Sequence, residues 1–353
     1  VAAPSKRLVQ RSRVRSHRSE EGPSTVGVVG MGLMGTSIAA CLLGAGHCVV
    51  CIEIDPEKRR TAPKRLLHLL NEAHARGLLV ESGVELVKRA TISAEIFDLI
   101  DAQIVVESTV ESVSVKREVI AQIESAVKAR TLIGTNTSAI PVTELQLGAQ
   151  HPERILGLHW AEPANVTRFM EVICGKETSP ASAARAMRFA RQWGKEPSLL
   201  RKDIRGFITN RIMYAMMREA FFLVEEGYAT VADVDRSLRN DLGSWITFAG
   251  PFRFMDLTGI PAYATVMKNL LPELNRSTSV PRLMKKVVSS GARGVSNAKG
   301  FYRYTPAQAT RWEELFMNFS HEIREVATRY PEDVGDRAAV KPAIKKERRK
   351  VRK

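Results

Sequence analysis

"TVGVVGMGLMGTSIAACLLGAGHCVVCIEID", residues 25–55, decides the fold. Val26–Val29 reads as a strand buried on both faces. Gly30-Met31-Gly32-Leu33-Met34-Gly35 then matches G-x-G-x-x-G, a helix is expected from about Met34 to Leu43, and Cys48–Ile54 reads as a second strand. Flanked in this way, the motif is the dinucleotide fingerprint: the first glycine permits a tight turn and the second lets a pyrophosphate approach the backbone. The third packs the helix on the sheet, and the helix N-terminus meets the phosphate charge. Glu53 is placed to accept hydrogen bonds from the adenosine ribose hydroxyls and to repel a 2′-phosphate, so the expected cofactor is NAD.

From Ser24 to Ile52 there is no Asp, Glu, Lys or Arg, a run long enough to imitate a membrane span. Gly27, Gly30, Gly32, Gly35, Gly44 and Gly46 punctuate it at strand and helix boundaries, so it is read as core and no membrane span is expected.

Beyond Ile54 the alternation continues. Asp55-Pro56 opens a helix with a cap and an N1 proline. "AQIVVES", "TLIGTNTSA", "RILGLHW" and "FMEVIC" read as strands, and residues 113–129 and 179–193 as helices. This is the pattern of an α/β, Rossmann-type doubly wound parallel sheet. After about Asp203 the pattern turns helical, and the Met213, Met216, Met217, Phe221 and Phe222 stripe reads as helix–helix core or subunit interface. The expected organisation is a basic tail over 1–24, an NAD-binding domain over 25–202, a smaller all-α C-terminal domain over 203–335, and a second basic tail over 336–353.

Composition adds exclusions. The formal net charge of +15 comes mostly from the ends: residues 1–25 carry +4 and 337–353 carry +8, which leaves +3 for everything between. Such tails have too few apolar residues to fold alone, and the body offers no nucleic-acid footprint. Four cysteines are too few for a disulfide framework, which points to a reducing, cytoplasmic setting. The Arg- and Ser-rich first segment resembles a transit peptide, an alternative address. Cys48 and Cys51 lie three apart on a strand and point to opposite faces, so they share no metal; no metal is expected.

"ILGLHWAEPANVTRFMEVICG", residues 155–175, places His159 at the end of one apolar run and Glu171 inside the next. A lone histidine beside a strand is an ordinary core residue. A histidine with a carboxylate behind it is a general base with its tautomer fixed.

Several ordered motifs settle which: "VGVVGMGLMG", "IVVESTVES", "TNTSAIPVTEL", "GLHWAEP…MEVI", "GFITNRI", "GPFRFMDLTGI" and "GVSNAKGFYRY". Together they resemble the 3-hydroxyacyl-CoA dehydrogenase family over roughly residues 25–304. The resemblance implies NAD-dependent interconversion of a 3-hydroxyacyl-CoA and the 3-oxoacyl-CoA, in fatty acid metabolism, by a homodimer joined through the helical domain. It implies His159 as the base, Glu171 as the carboxylate orienting it, Ser138 near substrate and nicotinamide, and Asn210 at the substrate carbonyl. The Gly30–Gly35 loop, Glu53, Glu107, Asn136 and Glu162 are the implied cofactor contacts.

This chain departs from the pattern twice. Glu162 stands where the family has Asn in His-x-x-Asn-Pro, and Ser296 stands at the usual lysine of the C-terminal glycine-rich motif. The departures keep other readings open: a free 3-hydroxy acid or carnitine-like substrate, or a non-catalytic NAD-binding relative. A hydrolase triad of Ser138, His159 and Glu171 lacks the G-x-S-x-G elbow. A lysine-dependent β-hydroxyacid dehydrogenase leaves "GLHWAEP" unexplained.

Overall fold

The computed structural model describes residues 24–330. The two basic ends, and with them the transit-peptide-like composition, lie outside the described residues.

The chain runs β1 (Thr25–Val29), α1 (Leu33–Gly44), β2 (Cys48–Ile52), α2 (Pro56–Ala75), α3 (Gly83–Val87), β3 (Ala90–Ser93), β4 (Ile104–Glu107), α4 (Val113–Ala126), β5 (Leu132–Thr135), α5 (Val142–Gln146), β6 (Ile155–Trp160), β7 (Phe169–Cys174), α6 (Pro180–Gln192), β8 (Glu196–Leu200) and α7 (Thr209–Glu225). The eight strands form one sheet in the order β3-β2-β1-β4-β5-β6-β7-β8. Because β2 and β3 lie on one side of β1 and β4 on the other, a topological switch point falls beside the carboxyl end of β1. That is where open α/β sheets bind ligands.

Both faces of the sheet are covered. Alternate residues of each central strand enter opposite cores: Val26, Val28, Ile104 and Val106 pack on one face, Val29 and Val105 on the other. The first core also holds Ile38, Leu42, Leu66, Leu70 and Phe189, from α1, α2 and α6. The second holds Ile120, Ile123, Val142 and Leu145, from α4 and α5. The charge-free stretch from Ser24 to Ile52 is therefore mostly buried core, and no helix among the described residues is long and apolar enough to cross a membrane. Asp55 caps α2, its carboxylate accepting from the N–H groups of Glu57 and Lys58. Cys48 is exposed and Cys51 fully buried; burial pushes the Cys51 thiol up to about 12. No group of three or more metal-ligating side chains occurs among the described residues.

The sheet differs from a fully parallel one at a single pairing: β6 and β7 are antiparallel. Only residues 161–168 join them, fewer than the dozen or so that a parallel crossover requires. The strands β3 and β8, which the hydropathy pattern does not announce, are the two edges. Each is four or five residues long, and β8 contains Pro197, a residue that sheets accept at an edge.

By contacts the described chain falls into two compact units. The first holds the sheet, the start of α7 and residues 310–321. The second holds the rest of α7, α8 (Val231–Asn240), α9 (Leu242–Phe248), α10 (Gly250–Thr258), α11 (Ile260–Leu270), α12 (Arg282–Ser289) and both ends of α13 (Pro306–Thr328). Thr305 and Gln308 cap α13 reciprocally. In the methionine–phenylalanine stripe, Phe221 meets Phe301 with ring centroids 5.6 Å apart.

Gly35 shows how tightly the first turn is built: a Cβ there would stand 1.8 Å from the carbonyl oxygen of Gly30. Gly35→Ala is expected to destabilise the protein by about 3 kcal/mol, read by urea unfolding. A variant as stable as wild type would mean that α1 does not seat against β1 this closely.

Candidate active site

The glycine loop is a phosphate cradle in shape. Gly30 turns with φ 93°, and a Cβ there would press to 2.7 Å from the Ser108 carbonyl oxygen. Gly32, the N-cap of α1, supplies no side chain, and a Cβ on it would meet nothing within 4 Å. The start of α1 is thus open at Gly32, as an approaching pyrophosphate requires. The loop is held from behind: Arg65 donates to Met31 O at 2.8 Å and to Thr36 Oγ1 at 3.0 Å. Glu53 follows β2 and accepts from Met31 N at 2.8 Å and from Asp55 N at 2.9 Å. This fixes its carboxylate beside the loop, with lone pairs left for ribose hydroxyls. The residues present fit an NAD molecule.

The ends of β4 and β5 form the next wall. Glu107 turns inward: fully buried, it binds Lys116 Nζ at 2.9 and 3.0 Å, Thr109 N and Oγ1 at 2.6 Å, and Thr135 Oγ1 at 2.6 Å. Its carboxylate thus faces the interior, at a position for which the sequence reading expects a cofactor contact. The carboxylate that reaches the loop is Glu111, which that reading passed over. Glu111 accepts from Thr137 Oγ1 at 2.6 Å and Ser138 N at 3.0 Å, and its other oxygen lies 3.6 Å from Lys116 Nζ. The available signal was the spacing of "ESTVESVSVK", two acids and a lysine around the start of α4. Asn136 ties β5 to β6, its Oδ1 accepting from Trp160 N at 3.2 Å, while Ser138 is exposed.

His159 and Glu171 face each other directly across the antiparallel β6–β7 pair. Nδ1 of His159 meets Oε2 of Glu171 at 2.8 Å. Phe169 packs edge-on to the imidazole at 5.4 Å and Phe207 lies tilted at 5.6 Å. The other oxygen of Glu171, Oε1, accepts from Ile208 N at 3.1 Å, Thr209 N at 2.9 Å and Thr209 Oγ1 at 3.2 Å. Burial pushes the Glu171 carboxyl up, but the bonds from His159 and Thr209 outweigh it and hold the group below its ordinary value. An ionised Glu171 puts the ring proton on Nδ1 and leaves Nε2 with its lone pair.

One residue further along α7, Asn210 donates from Nδ2 to Ser138 O at 2.8 Å. The fold therefore connects Ser138, Asn210, Glu171 and His159 through the start of α7. Glu162 is bonded to none of them. It reaches the surface on the β6–β7 loop, where the protein partly strips water from its carboxyl and pushes its pKa up. Buried Lys195 braces that loop, donating to the carbonyls of Ala164 and Thr167. Ser296 donates within its own turn, to Arg293 O.

Two family models match this chain: the NAD-binding domain of 3-hydroxyacyl-CoA dehydrogenase over residues 25–204, and its C-terminal domain over 206–304. The chain belongs to the 3-hydroxyacyl-CoA dehydrogenase family. It is an NAD-dependent oxidoreductase of that type. Over 285 residues it is 31% identical to the 5-formyl-3-hydroxy-2-methylpyridine 4-carboxylate 5-dehydrogenase of Mesorhizobium japonicum, covering 80% of this chain and 91% of that one. It is 30% identical to the 3-hydroxybutyryl-CoA dehydrogenase of Mycobacterium tuberculosis, covering 79% and 98%. A crystal structure of a 5-formyl-3-hydroxy-2-methylpyridine 4-carboxylic acid 5-dehydrogenase, described as an NAD+-dependent dismutase, superposes with a TM-score of 0.81 at 28% identity, covering 88% of this chain and all of that one. The 3-hydroxybutyryl-CoA dehydrogenase of Escherichia coli gives 0.66 at 29%, covering 80% and 60%.

Arg59 and Arg60, two cations that follow Glu53 in sequence, each have partners. Arg59 donates to the carbonyl oxygens of Glu53 and Ile54, and Arg60 to the Glu57 carboxylate. NADPH should bind at least about tenfold more weakly than NADH, since the Glu53 carboxylate beside the loop repels a 2′-phosphate. Fluorescence titration of both reduced cofactors checks this; equal or tighter NADPH binding would contradict it.

Proposed function

We propose that this enzyme interconverts a 3-hydroxyacyl-CoA and the 3-oxoacyl-CoA, with His159 as general base and Glu171 as the carboxylate that positions it. The observation that carries the reading is the 2.8 Å bond between His159 Nδ1 and Glu171 Oε2, which leaves Nε2 as the free acceptor in an apolar setting.

The Gly30–Gly35 loop and Glu53 would hold NAD, which would supply the hydride acceptor. Everything else falls to the chain. Nε2 of His159 takes the proton of the substrate's 3-hydroxyl as the C–H bond breaks, and returns it in the reverse direction. Glu171 stabilises the imidazolium that forms. Ser138 and Asn210 offer neutral hydrogen bonds that place the substrate oxygens without trapping charge, and Asn136 keeps the ends of β5 and β6 in register beneath them. Phe169 and Phe207 keep water from the flanks of the ring.

A second substrate class rests on one observation: the likeness to a dehydrogenase whose name specifies a pyridine carboxylate. On this alternative the same dyad serves a free, non-thioester alcohol. An assay of NADH oxidation with acetoacetyl-CoA, free 3-oxo acids and aromatic aldehydes separates the two.

We further propose a division near residue 202 between cofactor-binding and helical domains, with the helical part forming a homodimer. From Ile208 through Gln308 no residue is buried, while Phe248, Phe252, Leu257, Ile260, Val266 and Leu270 are all at least half exposed. A second copy is the partner that supplies matching apolar surface. Sedimentation should show a dimer, and the thermal midpoint should rise with protein concentration; a stable monomer with a concentration-independent midpoint would contradict this.

For the dyad, His159→Gln should keep NAD affinity and lose turnover by roughly 10²–10⁴. Glu171→Gln should lose less, and the double variant should fall well short of the product of the two defects, because the pair acts as one unit. Near-normal turnover in His159→Gln would return the histidine to a packing role.

A further inference from the structure

The start of α7 reaches the dyad at Oε1 of Glu171, the oxygen that His159 does not use. Gly206 and Phe207 both adopt the left-handed region, with φ 80° and 50°. For phenylalanine this costs about 1–3 kcal/mol. The turn aims the next two N–H groups, of Ile208 and Thr209, at Oε1 of Glu171. These are donors that the first turn of a helix leaves without intrahelical acceptors. Thr209 adds its hydroxyl to the same oxygen at 3.2 Å. Phe207, 1% exposed, lies against the imidazole. Among the described residues no other charged or polar side chain is bonded to His159 or Glu171.

We propose that Thr209 is a positioning residue of the dyad: its hydroxyl and N–H, with the N–H of Ile208, anchor Oε1 of Glu171 so that Oε2 meets His159 in one geometry, and they set the strength of that bond from α7. The physical reason is that a carboxylate shares its negative charge between both oxygens. Donors on Oε1 draw charge away from Oε2 and stop the group from rotating, so Oε2 holds the ring in place without binding its proton too tightly. The hydroxyl is the adjustable member, since the two N–H groups belong to the backbone. For turnover the proposal rests on the reading of His159 as base; for the geometry of the pair it does not.

Thr209→Val removes the hydroxyl at nearly constant shape, Thr209→Ala removes it with the methyl, and Thr209→Ser restores it. The first readout needs no substrate. In protein carrying ¹⁵N-labelled histidine, the proton between His159 Nδ1 and Glu171 should give a far-downfield resonance, assigned by its loss in His159→Gln. It should move further downfield in Thr209→Val and Thr209→Ala and stay in place in Thr209→Ser. The second readout is reduction of acetoacetyl-CoA by NADH. Here kcat should fall about three- to tenfold in Thr209→Val, the worth of one hydrogen bond, with KM for NADH unchanged and Thr209→Ser restored. A wild-type spectrum without the resonance, or an unmoved resonance and kcat in Thr209→Val, overturns the proposal. Full turnover in His159→Gln would instead overturn the assignment of the base, and the resonance would still decide the role of Thr209.

Discussion

The carboxylate of Glu171 is the interaction on which the site depends. One oxygen holds the His159 ring across the antiparallel β6–β7 pair, and the other gathers the N-terminus of α7. A charge this buried, 1% exposed, is tolerated only when it is fully bonded. That requirement forces three elements to converge: β6 must carry His159 opposite Glu171, β7 must run antiparallel to it in this register, and α7 must start where its free N–H groups point at Oε1. Asn210, one residue into that helix, then falls beside the Ser138 loop.

A second buried charge organises the other wall. Glu107 and Lys116 are both fully buried and neutralise each other. Removing Lys116 leaves the Glu107 carboxylate an unpaired interior charge, at a cost of about 3–5 kcal/mol. Lys116 also lies near Glu111, whose carboxylate receives Thr137 and Ser138, so the loop expected to meet substrate is braced from the interior. The cofactor side follows the same plan, with Glu53 and Arg65 binding the glycine loop through its backbone.

Much of this was legible in the sequence, because the features involved are local. The G-x-G-x-x-G turn, the Asp55 cap and the charge-free core strands declare themselves within a few residues. The pairing of His159 with Glu171 was legible only through the resemblance, since the chain between them says nothing about a shared strand register. What stayed hidden depends on direction or on distant partners. Hydropathy does not tell which of Glu107 and Glu111 turns inward. Four-residue β3 and proline-bearing β8 are too short or too irregular to alternate visibly. Thr209 carries no motif signal of its own; its importance comes entirely from the oxygen it meets 38 positions back along the chain.

The central claim is that Nε2 of His159 receives the proton of the reacting hydroxyl while Glu171 holds Nδ1. A crystal structure of the enzyme with NAD and acetoacetyl-CoA bound together tests it most directly. The account predicts the 3-oxo oxygen about 2.6–3.2 Å from Nε2, within hydrogen-bond reach, with the carbon that bears it facing the nicotinamide ring and the His159–Glu171 bond intact. A 3-oxo oxygen bonded elsewhere, with Nε2 turned away from it, would contradict the account.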